Sequence, residues 1–148
     1  MSWLPREMVV VPIDFSEDSL AAVPIARELV AGGSHLCLIH VLQDGRPFED
    51  ALVWETFNDG ERIDRVEQEL RLRFAGERYE GLHTLAVLGD PGKKIPEVAE
   101  KLGADLIVIP SHGRTGLQRI LLGSVSEQVI RNARCPVLVL RSSPQAPK

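Results

Sequence analysis

Cysteine is scarce, with only Cys37 and Cys135 in 148 residues, and neither stands at a metal-ligand spacing. That disfavours disulfide staples and a zinc centre, and both thiols read as reduced. Aromatic residues are also few, 5% against a hydrophobic share of 44%, so an ordered aliphatic core is expected. Basic residues form no block and the net charge is −4, which argues against nucleic acid or an anionic membrane as the main partner. No apolar run is long enough to span a bilayer. The opening "MSWLPREMVVVPID" lacks the basic region, long apolar stretch and small-residue cleavage site of a signal peptide. A cytoplasmic location is the default expectation. There is no internal repeat and no linker that would divide the chain.

What the chain does have is alternation of strands and helices. "MVVVPI" (8–13), "HLCLIHVL" (35–42), "LHTLAVL" (82–88), "DLIVIP" (105–110) and "VLVLR" (137–141) are short, mostly aliphatic runs with the character of buried strands. Between them, Ser16 with Glu17 and Asp18 reads as a helix start, its apolar face carried by Leu20, Val23, Leu29 and Val30 up to the stop at Gly32-Gly33. Ile63, Val66, Leu70 and Phe74 recur at helical spacing. Asp90-Pro91 opens a third helix with Ile95, Val98, Ala99 and Leu102 as its core face and Gly103 as its stop. A further helix is expected from Ser124 to about Asn132. Pro24 and Pro96 fall inside helical patterns, where each removes a backbone donor. The stretch Gln43 to Gly60, with Phe48, Trp54 and Phe57, reads as part helix or lid. The pattern predicts one α/β domain over residues 1–141, a parallel sheet with helices on both faces, and a disordered tail, "SSPQAPK", over 142–148.

In such sheets ligands bind beyond the carboxyl ends of the strands, where strand order reverses. Two stretches stand at such ends: "PIDFS" and "PSHGRTGLQRILLGS" (110–124). The glycines of the second let backbone N–H groups approach an anion, and the helix from Ser124 offers free N–H groups and the positive end of its dipole. Arg114 and Arg119 either add charge there or are solvated. Asp14 is either a turn former or an acceptor for a ribose hydroxyl. "SVSE" forms a capping box, with Ser124 as cap and Glu127 reaching back, which is compatible with a phosphate contact. No serine or cysteine nucleophile arrangement accompanies His112, which reads as a solvated loop histidine or a phosphate neighbour, so no catalytic residue is assigned.

The sequence resembles the universal stress protein family across nearly its whole length. The likeness lies in "VVVPIDFSEDS", "LIHV", "GDP" and "SHGRTGLQRILLGSVSEQVIRNARCPVLVLR". It implies a Rossmann-like five-stranded parallel sheet in the order 3-2-1-4-5, which makes the first and fourth strands neighbours. It also implies ATP, with or without Mg2+, as ligand, a homodimer paired through Val137 to Leu140, and a role in stress response with protein partners not yet defined. ATP-binding members carry Gly, two residues, Gly, nine residues, then Gly with Ser or Thr. Gly113 matches the second glycine, and Gly123 with Ser124 matches the end, but Pro110 replaces the first glycine. By resemblance, Gly113, Gly123, Ser124 and Val125 lie along the triphosphate. Asp14 reaches the ribose or adenine side, and Pro12 and Val41 line the base. Pro110 weakens binding if that position needs positive φ or an N–H, and is accommodated if it needs only a small residue. The competing readings are a scaffold of the same fold and a slow ATP hydrolase, the latter lacking a Walker lysine and paired carboxylates. The family topology also places the two cysteines on opposite sides of the sheet.

Overall fold

The structure is a computed structural model describing residues 2–43, 58–111 and 122–141. Strands β1 (Val9–Pro12), β2 (Leu36–Leu42), β3 (His83–Leu88), β4 (Leu106–Pro110) and β5 (Val137–Leu140) form one parallel sheet in the order β3-β2-β1-β4-β5. Val9, Val10 and Val11 are fully buried, as expected for a central strand covered on both faces. Each such side chain contributes about 1.5–3 kcal/mol relative to exposure. The alternation of the strands divides the core in two. Val9, Val11, Leu36, Leu38 and Val108 face helices α1 (Glu17–Arg27) and α2 (Asp59–Arg73). Val10, Ile39, Ile107 and Ile109 face α3 (Pro91–Lys101) and α4 (Ser124–Asn132).

The helix ends follow local chemistry. Ser16 caps α1, its hydroxyl accepting from the Ser19 N–H at 3.1 Å. Asn58 caps α2 by accepting from the Glu61 N–H at 2.8 Å, while its amide reaches Glu61 Oε1 at 3.4 Å. Of the segment 43–60, read as part helix or lid, the last residues therefore open a helix, while 44–57 lie outside the described residues, as does the 142–148 tail. Gly103 stops α3 with φ of +68°, a conformation that glycine adopts without penalty.

Three expectations are corrected. Helix α1 ends at Arg27, so Leu29 and Val30 lie beyond it; its buried face is Ser19, Ala22, Val23 and Ala26, small residues that bring the helix close to the sheet. Leu102 caps the end of α3 and is 40% exposed rather than part of its core face. Both cysteines pack on the α3–α4 side of the sheet, not on opposite sides, and both are free. They remain apart in the sheet order, Cys37 on β2 and Cys135 on the lead-in to β5. Burial, reinforced by the Glu67 carboxylate, pushes the Cys37 thiol up to about 12.

Candidate functional site: the crevice between the first and fourth strands

The β1–β4 ladder comprises Val9↔Leu106 and Val10↔Ile107 and stops there. Beyond it lie the carboxyl ends of both strands, at the switch point of the sheet order. One wall is the exit of β1. Ile13 donates its N–H to the Ile39 carbonyl at 2.7 Å, and its own carbonyl accepts from His40 Nδ1 at 2.6 Å. Asp14 then makes an Asx turn: its Oδ1 accepts from the Ser16 N–H at 2.9 Å, and its N–H donates to the buried Ser19 hydroxyl at 3.3 Å. Phe15 follows with φ of +65°, the one non-glycine residue in left-handed backbone among those described. Pro12 and Val41 are both buried, Val41 within the α3–α4 side of the core.

The other wall is the exit of β4. Pro110 is buried and extended, opposite Leu140 of β5. The N–H groups of Ile107 and Ser111 both donate toward β5, to the carbonyls of Pro136 and Leu140 at 3.0 and 2.8 Å. By the alternation of a strand, an N–H at position 110 would point toward β1, where the ladder has already ended. A proline there removes no sheet bond. Its carbonyl accepts from the buried Ser126 hydroxyl at 2.8 Å, and the Ser111 carbonyl accepts from the Gly123 N–H at 2.6 Å. These two bonds draw the start of α4 against the end of β4. Gly113, with His112, Arg114 and Arg119, lies outside the described residues.

The capping box is corrected here. The cap of α4 is Gly123, and Ser124 is the first helical residue. Glu127 turns to Arg131 at 2.7 Å instead of reaching back, and it is Ser126 whose hydroxyl ties the helix down. Helix geometry leaves the N–H groups of Ser124, Val125 and Ser126 without acceptors inside the helix. Ser19, His40, Phe15 and Ser126 escaped the sequence reading. The first three act through one another or through Ile13 and Asp14 just past β1, and Ser126 was hidden inside an apparent capping motif.

The universal stress protein family model matches residues 6–141. The chain belongs to this family. Universal stress protein MJ0531 of Methanocaldococcus jannaschii is 39% identical over 139 residues, covering 90% of this chain and 81% of its own. Among solved structures, the universal stress protein UspA from Lactobacillus plantarum superposes with a TM-score of 0.71 at 27% identity, over 92% of this chain and 99% of that one. The structure of MJ0577 gives 0.72 at 27% identity over 96% and 100%. In this chain the crevice stands at the β1–β4 switch point of the shared fold. No helix among its described residues is long and apolar enough to cross a membrane.

Proposed function

We propose that this universal stress protein binds an adenine nucleotide, ATP with its magnesium ion, in the β1–β4 crevice, and acts as a cytoplasmic homodimer that signals stress to protein partners through occupancy of that site. One observation carries the reading. The N–H groups at the start of α4, which have no acceptors inside the helix, are fixed to the end of β4, across the switch point from an Asp14 carboxylate fixed at the end of β1. A polyphosphate suits the first, which offers N–H donors and the positive end of a helix dipole. A ribose suits the second, whose carboxylate only accepts. Pro12 and Val41 supply an apolar wall for the base, and Gly123, Ser124 and Val125, with Gly113 of the family pattern, run along the phosphates. Pro110 takes the place of the first pattern glycine in extended backbone with its carbonyl already engaged, so it shapes the floor without contributing a donor.

Extraction of nucleotide from natively purified protein tests this, with Ser124→Asp as control. An aspartate at the first helical position favours the helix yet repels phosphate, so the variant is expected to stay folded and lose the nucleotide. A wild-type protein that carries no nucleotide, and does not take up added ATP, overturns the reading.

A further inference from the structure

We infer that His40 is a positioning residue that sets the preference of the crevice for ribonucleotides over 2′-deoxyribonucleotides. The inference rests on the nucleotide reading above and concerns how Asp14 is aimed. One imidazole holds both neighbours of Asp14. On one side its Nδ1 donates to the Ile13 carbonyl at 2.6 Å; because a carbonyl only accepts, Nδ1 carries the hydrogen. On the other side its ring meets the Phe15 ring, with centroids 5.0 Å apart and planes inclined by 58°. Left-handed backbone is unfavourable for a residue with a Cβ, so something must hold Phe15 there. His40 does so from one direction, and the Arg73 guanidinium at the end of α2, 5.5 Å from the ring centroid, from another.

The consequence is directional. With Ile13 and Phe15 fixed, the Asp14 backbone between them has little freedom, and its side chain is oriented further by the Ser16 N–H. A carboxylate offers about four acceptor sites, so it can accept from more than one donor. A ribose 2′-hydroxyl donating to such a preset carboxylate makes a charge-assisted bond, while a 2′-deoxyribose leaves it unmatched. Loosening the turn removes the advantage of the hydroxyl and leaves contacts to base and phosphates as they are.

Calorimetric affinities for ATP and dATP in the wild type, His40→Ala and His40→Asn decide the matter. The asparagine places an amide N–H close to where Nδ1 stands. The wild type is expected to favour ATP about tenfold or more. In His40→Ala the ATP affinity should fall to that of dATP, with dATP unchanged, and His40→Asn should recover most of the difference. Phe15→Gly, which suits the left-handed backbone but lacks the ring, should also lose the preference. Equal losses for both nucleotides, or no change in either, overturn the inference. Amide exchange at Ser16 gives a readout independent of nucleotide: it should accelerate about tenfold or more in His40→Ala, while Val10 and Val11 stay protected, and return in His40→Asn. Unchanged Ser16 exchange overturns the positioning role. If the wild type binds neither nucleotide, the nucleotide reading and the ribose preference both fail, and Ser16 exchange alone then upholds or overturns the positioning role.

Discussion

Asp105 stands at the opposite end of the sheet from the crevice and ties the start of β4 to the segment that leads into β1. Its carboxylate accepts from the N–H groups of Glu7 and Met8 at 2.9 and 3.0 Å and pairs with Arg6 Nε at 3.2 Å. Burial alone would raise its pKa, but those two N–H groups and the Arg6 charge hold it below the usual carboxylate value. A depressed folded pKa means that this stability is fully present above the unfolded value of 3.8 and is lost as pH falls through the folded one. Chemical denaturation between pH 6 and acid, run on wild type and Asp105→Asn, should show the wild type losing its advantage below about pH 4. A parallel loss in both proteins would show that Asp105 is not the group responsible. Ser126→Ala, at the other end, should cost about 1–3 kcal/mol in urea melts, because the buried Pro110 carbonyl is left without its donor. These side chains show why the residue scale was only partly legible in the sequence. Ser16 was readable as a cap because its partner is three residues away. Asp105, Ser126 and His40 were not, because their partners lie 98, 16 and 27 residues distant.

Among the elements, the two edge strands are treated differently. On β3, Glu67 of α2 accepts the outward Ala86 N–H at 3.0 Å and Arg71 reaches Thr84 Oγ1 at 3.1 Å, so one helix closes that edge. Strand β5 has no comparable side-chain bond among the described residues and is only half-buried. Its bonds to β4 involve the carbonyls of Pro136 and Leu140, so the backbone groups of Val137 and Val139 point outward. If a second copy pairs there, Val139→Pro should remove one interchain donor while sparing the β4 ladder. Sedimentation should then show monomers with wild-type circular dichroism, and an unchanged dimer would place the interface elsewhere. The elements themselves were legible because their apolar periods are strong, and Pro91 and Gly103 mark α3 by position alone. The ends of α1 and α4 were not. Leu29 and Val30 continue an apolar pattern that tertiary contacts interrupt, with Val30 bridging to Arg6. The start of α4 is set by the Gly123–Ser111 bond, a contact between strand and helix that no local motif encodes.

For the molecule as a whole, the sheet order separates two tasks. The amino ends of the strands are locked by Arg6, Asp105 and the Arg6–Val30 bridge. The carboxyl ends part after a two-pair β1–β4 ladder and carry the turn at Asp14 and the start of α4. Strand–helix alternation predicted a parallel sheet, but adjacency of β1 and β4 came only through family likeness, since periodicity does not encode strand order. Pro110 shows the same limit. As a departure from a motif it reads as a defect, whereas in the fold it occupies a position where the sheet requires no donor. The central claim is that this crevice holds an adenine nucleotide despite that proline. Titration of ATP with magnesium into nucleotide-free protein at high micromolar concentration tests it most directly. Saturable heat with one site per protomer, abolished by Ser124→Asp, is expected; no heat from the wild type, with binding appearing only in Pro110→Gly, would contradict it.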